Sequence, residues 1–149
     1  MSQDFSPDAG RFVGRVHHLP VRIYDEDTDF TGVVYHANYL RYFERGRSDC
    51  LRVAGVHHSV LLQQAEPMGF AVNRIVLDFQ KPARIDDALV VKTAFEAFKG
   101  PRLYIAQSIE RDGEILASAE VQVCCINLTG RPRKPPAVLL ERLKPFLTV

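Results

Sequence analysis

The chain has 149 residues, 46% hydrophobic and 25% charged, which suits one folded domain and excludes a disordered or fibrous polymer. Nineteen basic residues against eighteen acidic ones leave a formal charge of +1, so neither a nucleic-acid footprint nor a polybasic membrane anchor is expected. No apolar run reaches the ~18–20 residues of a membrane span, and Cys50, Cys124 and Cys125 have no CxxC spacing, so neither a disulfide framework nor a zinc knuckle is expected. The N-terminal MSQDFSPDAGRF lacks the basic-then-apolar order of a signal peptide. A reducing, cytoplasmic location is the expectation.

Residues 1–15 read as a polar tail with Pro7, Gly10 and Gly14, followed by a single domain over 16–149 that ends in a short extension. From Leu19 an alternation sets Val21 and Ile23 on one face against Arg22 and Tyr24, which predicts a strand. The acids Asp25, Glu26, Asp27 and Asp29 follow, then Gly32. The clearest helix comes next. At ~100° per residue Tyr39, Tyr42, Phe43, Gly46, Cys50, Val53 and Ala54 form one stripe, with Asn38 as N-cap and Gly55 just past the end. Gly46 inside that stripe costs about 1 kcal/mol relative to alanine, and a close approach by another backbone would explain it.

After a loop around Pro67, four strands are predicted: Gly69–Phe79, a segment alternating from Leu89 to Ala97, one through Leu103, Ile105 and Ile109, and Ile115–Asn127. Lys99-Gly100-Pro101 and Asp112-Gly113 supply the turns. Cys124 and Cys125 must point to opposite faces, and the proline-rich end leads into a short helix or tail. One early strand, a helix and an antiparallel run of four make an α+β domain whose sheet covers the helix.

The acidic loop is the most unusual stretch. Asp25, Asp27 and Asp29 match the first alternate positions of a calcium loop, but Phe30 stands where glycine is required and His36 where a bidentate glutamate is. A second reading joins Asp29 to the helix start. Backbone N–H groups around Val34–His36 would polarise a carbonyl, and the Asp29 carboxylate would serve the same carbon or a water beside it, an arrangement suited to acyl transfer. The plain alternative is that these acids stay solvated and only favour the helix dipole. His17-His18 and His57-His58 have no ligand-spaced carboxylate or cysteine, so surface or packing roles are expected of them.

The run VRIYDEDTDFTGVVYHANYLRYFERGRSDCLR resembles the acyl-CoA thioesterases of the 4-hydroxybenzoyl-CoA thioesterase family, in particular its YbgC-like branch, and the later PARIDD segment agrees. The resemblance implies the hotdog fold, a long central helix wrapped by a curved five-stranded antiparallel sheet. It implies hydrolysis of acyl-CoA thioesters, with Asp29 as catalytic aspartate, His36 near the thioester and the His36 N–H as carbonyl donor. Tyr35 and Asn38 become substrate-contacting positions, and Lys99 and Arg102 the basic residues that meet coenzyme A; Arg131, Arg133 and Lys134 form a second basic cluster. A related branch uses a helix glutamate, which draws attention to Glu44, and the YbgC-like branch usually has tyrosine where this chain has Asp25. The resemblance implies no cofactor, coenzyme A being part of the substrate, and dimers or tetramers with sites between subunits. A thiol of pKa about 8.5 leaves without a strong general acid, so neither metal nor triad is required. The rival readings are an acyl-carrier-protein thioesterase and a non-catalytic acyl-CoA or acyl-ACP binding or scaffold protein associated with envelope machinery.

Overall fold

The computed structural model describes residues 5–7 and 10–149. Strand β1 (Arg11–Val13) and β2 (Val16–Arg22) lead into a single 3-10 turn at Asp25–Asp27, then α1 (Asn38–Val53) and α2 (His58–Gln63). Strands β3 (Met68–Phe79), β4 (Ala88–Lys99), β5 (Arg102–Arg111) and β6 (Glu114–Asn127) follow, and α3 (Ala137–Leu143) closes the chain with one further 3-10 turn. The sheet order is β1-β2-β4-β5-β6-β3, antiparallel at every step.

The sheet therefore has six strands where the sequence predicts five. The extra one comes from the expected tail, of which residues 1–4, 8 and 9 lie outside the described residues. Arg11–Val13 pairs with β2, and Phe12 stacks on Phe146 with ring centroids 3.9 Å apart. No local pattern in three residues announces such a strand; two distant segments hold it. Helix α2 likewise replaces part of the expected loop before β3. It is too short to show a full amphipathic period, and no residue in it is buried.

Alternation in the sheet follows the sequence. Leu89, Val91, Thr93 and Phe95 of β4, and Leu103, Ile105, Gln107 and Ile109 of β5, all point into the space under α1 and are buried. The Asp112-Gly113 turn has both residues at positive φ, 50° and 82°, the pairing that joins two twisted strands with least splay. Cys124 and Cys125 are both buried although they face opposite ways.

Helix α1 lies across this sheet with Tyr39, Tyr42, Phe43, Gly46, Arg47, Cys50 and Leu51 buried. The expected stripe is corrected at its end: Val53 is exposed, while Arg47 and Leu51 turn inward. Asn38 is not the N-cap. It is the first helical residue, behind Ala37, and its side-chain amide donates to Asp27 O at 2.8 Å. Gly55 stands just past the helix at φ +91°, as expected.

A methyl group on Gly46 would meet Val91 Cγ1 at 2.7 Å and Thr93 Oγ1 at 2.9 Å. The close approach that selects glycine is thus made by side chains of the sheet and not by another backbone. Beside it, Gln107 Nε2 donates to Phe43 O and to Thr93 Oγ1, both at 2.9 Å. Its Oε1 accepts from Arg47 Nη1 at 3.0 Å. The buried amide is satisfied on both sides, which avoids the roughly 1–3 kcal/mol that an unpaired buried polar group costs.

Candidate active site

The loop between β2 and α1 is a tight hairpin held by its backbone. Asp29 N–H donates to Val33 O at 2.9 Å, and Gly32 N–H returns to Asp29 O at 3.1 Å with Gly32 at φ +83°. Val33 bridges to Arg84, and Val34 N–H donates to Ala83 O at 2.9 Å, which ties the hairpin to the connection before β4. The buried Tyr39 hydroxyl accepts from Ala83 N–H at 3.0 Å and fixes the helix start to the same segment.

On this frame Asp29 is exposed. Its Oδ1 accepts from Thr31 N–H at 2.8 Å and from Thr31 Oγ1 at 2.5 Å. The threonine hydroxyl, then its N–H, holds the carboxyl below the usual aspartate range, so it stands ionised at neutral pH. The Val33 backbone N–H also favours the charged form of this carboxylate. The expectation of several free N–H groups over Val34–His36 narrows to one residue. Val34 N–H is taken by Ala83 O and Tyr35 N–H by Asp27 O, whereas the His36 N–H has no acceptor among the described residues. Tyr35 and His36 are exposed with ring centroids 4.5 Å apart, and Phe30 at the hairpin tip is 101% exposed.

The neighbouring acids do not converge as metal ligands would. Asp27 Oδ2 accepts from Tyr24 N–H at 2.8 Å, and Asp29 is engaged by Thr31. Asp25 opens the 3-10 turn, and its carboxylate has no partner among the described residues. Glu44 lies farther along α1, gripped by Arg47 Nη2 at 2.6 Å and by Ser48 Oγ at 2.9 Å.

Within one chain the structure does not bring the expected basic pair to this loop. Lys99 and Arg102 face each other across the β4–β5 turn, both exposed, with Lys99 Nζ 5.1 Å from the Tyr104 ring. The hairpin touches the chain just before β4 begins, and Lys99 ends that 12-residue strand, roughly 36 Å away at ~3.3 Å per residue. In the second basic cluster Arg133 is committed to Glu66, donating to its backbone O at 2.7 Å, whereas Arg131 and Lys134 are exposed.

Sequence reading missed the buried pair His17–Asp49. His17 is fully buried, its Nε2 2.8 Å from Asp49 Oδ2, and the same oxygen accepts from Gly10 N–H at 2.7 Å. Burial pushes the imidazole pKa down, with the Asp49 carboxylate acting the other way. One partner stands on β2 and the other on α1, too far apart in the chain for any spacing rule to reveal them.

The sequence pattern of the thioesterase-like superfamily matches residues 21–143. The acyl-CoA thioester hydrolase YbgC of Escherichia coli O6:H1 is 38% identical over 129 residues, 84% of this chain and 93% of that protein. The acyl-CoA thioesterase YbgC of Haemophilus influenzae is 39% identical over 110 residues, 74% of this chain and 80% of the relative. Among solved structures, a probable thioesterase from Bartonella henselae superposes with a TM-score of 0.79 at 40% identity, covering 81% of this chain and 99% of its own.

Proposed function

The chain belongs to the thioesterase-like superfamily and has its hotdog fold, and from that premise we propose that it hydrolyses acyl-CoA thioesters at Asp29. The observation that carries this is the pairing of an exposed, ionised Asp29 carboxylate with a His36 N–H that has no acceptor among the described residues, where the helix begins. The thioester carbonyl accepts from the His36 N–H, at the N-terminal end of α1 where the helix dipole favours developing negative charge. Asp29 then attacks the carbonyl carbon to give a mixed anhydride that water opens, or it takes a proton from an attacking water; either way the thiolate leaves. Tyr35 and the His36 ring flank the reacting group, and Asn38 steadies the loop through Asp27 O.

A catalytic carboxylate this exposed calls for a wall, and a second copy of the chain supplies one. Among the described residues strand β3 pairs with β6 alone and leaves its other edge open, with Val72, Val76 and Phe79 exposed. The Phe79 ring lies 5.2 Å from Tyr39, beside the helix start. A partner added antiparallel along β3 creates a two-fold axis normal to the sheet. That operation turns the partner end for end, so its β4–β5 turn, with Lys99 and Arg102, comes to the same end of the joined sheet as Asp29. Coenzyme A bound at one site then meets the other subunit's basic pair. Cytoplasmic location is supported by three buried free cysteines; burial pushes Cys125 up to about 12. No helix among the described residues is long and apolar enough to cross a membrane.

The test is free-thiol release from a panel of short, long and aromatic acyl-CoAs, with wild type and Asp29→Asn side by side. Turnover that collapses in the variant supports the proposal. Binding of acyl-CoA with no thiol release above background replaces the hydrolase with an acyl-CoA binder, and an Asp29→Asn variant that keeps half the activity removes Asp29 from the mechanism.

A further inference from the structure

The peptide that carries the His36 N–H is held from its other end. A peptide unit is planar, so fixing the direction of its carbonyl fixes the direction of its N–H. The carbonyl here is Tyr35 O, and it accepts from Asn38 N–H at 2.9 Å. Tyr35 and Asn38 in turn share one anchor outside the helix. Tyr35 N–H donates to Asp27 O at 3.1 Å, and Asn38 Nδ2 donates to the same oxygen at 2.8 Å. The chain is thus tied to a single atom both before and after His36.

That atom is placed by the side chain of its own residue. Asp27 is part-buried at the end of the 3-10 turn. Its N–H donates to Tyr24 O at 3.0 Å and its Oδ2 accepts from Tyr24 N–H at 2.8 Å, a reciprocal clamp on the chain leaving β2. The carboxylate also faces Tyr42, one turn into α1. The Tyr42 hydroxyl is buried, and that burial first, then the Asp27 charge, pushes its pKa up. Asp29 follows two residues later, exposed and bonded to Thr31 instead. The two acids of one loop divide the work: Asp29 is presented to solvent, and Asp27 is spent on the frame.

We propose, on the reading that this site hydrolyses thioesters, that Asp27 is its positioning residue. The Asp27 carboxylate, clamped by Tyr24 N–H, sets the carbonyl that holds Tyr35 and Asn38, and thereby aims the His36 N–H at the thioester carbonyl oxygen. A donor aimed in advance costs no reorganisation when the oxyanion forms, so its loss falls on the transition state and spares ground-state binding. Asparagine at this position keeps an oxygen for the Tyr24 N–H, and alanine keeps none.

The test compares thiol release by Asp27→Ala and Asp27→Asn, using the acyl-CoA that the wild type turns over fastest. Asp27→Ala is expected to lower kcat about tenfold or more with KM within about twofold, and Asp27→Asn to recover about half the wild-type kcat. Amide exchange followed by NMR reads the frame without turnover. In Asp27→Ala the Tyr35 N–H is expected to exchange about tenfold faster or more, while Val34 N–H, held by Ala83 O, is unchanged. Asn38→Ala removes the other bond to Asp27 O and leaves the carboxylate in place, so it keeps the test decisive if Asp27→Ala does not fold. It is expected to lower kcat roughly threefold or more at constant KM. An active wild type whose Asp27→Ala or Asn38→Ala variant keeps its kcat overturns this proposal alone, as does a Tyr35 exchange unmoved in Asp27→Ala. An Asp27→Asn variant that restores the Tyr35 exchange but not kcat also overturns it, because Asp27 then acts through its charge. A wild type that releases no thiol fails the hydrolase reading, and the role proposed here falls with it. Asp29→Asn leaves the Tyr35 exchange unchanged, which tells loss of the reacting carboxylate from loss of the frame.

Discussion

At one margin of the sheet the three-residue β1 is pinned by distant segments, although Arg11 and Val13 stay exposed. Phe12 stacks on Phe146, Arg15 donates to Leu147 O, and Gly10 and His17 meet on Asp49 of the helix. At the other margin the 12-residue β3 runs uncovered, with Val72, Val76 and Phe79 in water. Edge strands invite pairing, and proteins blunt the ones they do not use. The first edge is short and pinned, the second longer and open, and the proposed dimer pairs along the second. The two margins also differ in what they touch: the first ties the chain's two ends to α1 and β2, and the second brings Phe79 beside Tyr39 at the start of α1.

Four substitutions sharpen or break that division. Asp29→Asn, on the open side, is expected to lower kcat/KM by about a hundredfold or more, the usual scale for a lost acid–base group, with an unchanged mass by light scattering. Val72→Lys with Val76→Lys is expected to halve the solution mass and to cost roughly tenfold or more in activity through lost positioning. A monomer with full activity would break the link between β3 and the site. Gly10→Ala, beside β1, puts a methyl 2.3 Å from His18 O. A loss of about 1–3 kcal/mol in denaturant unfolding is expected, with thiol release per folded molecule unchanged.

The smallest expected effects are in pH. His17 has its folded-state pKa depressed by burial, so the unfolded chain takes up the proton more readily. Stability is complete above the ordinary histidine value of about 6.5 and declines as the pH falls below it. His17→Phe flattens that slope in urea midpoints measured across this range. At Asp29 the sign concerns activity: Thr31→Val removes the hydroxyl that holds the carboxyl down, so the acid limb of the kcat/KM profile moves to higher pH. An unmoved limb would mean that the limb does not report Asp29.

Much of this was legible in the chain. The Leu89–Phe95 alternation, the Asp112-Gly113 turn, Gly55 past the helix and the DTDFTGVVYHANY run each declare themselves over a few residues, because period, turn chemistry and motif are local properties. What stayed hidden depends on residues far apart. β1 exists because Phe146 and Asp49 receive it, and Arg47 turns inward because Gln107 waits sixty residues later. Thr31 grips Asp29 from two positions away, yet only the hairpin geometry tells that contact from a solvated loop. The Asp27 carbonyl gathers Tyr35 and Asn38 about itself, a juxtaposition that no linear pattern carries.

The contact at Gly46 reaches beyond this one chain. Val91, Thr93 and Gln107 occupy the space a side chain at position 46 would need, and Gln107 also anchors Phe43 O and Arg47. Mutations at 46, 91, 93 and 107 are therefore epistatic: a larger residue at the first is viable only after the other three have made room. Over evolutionary drift these four sites should change as a linked set, and a library that randomises them together should recover folded combinations that single substitutions never reach.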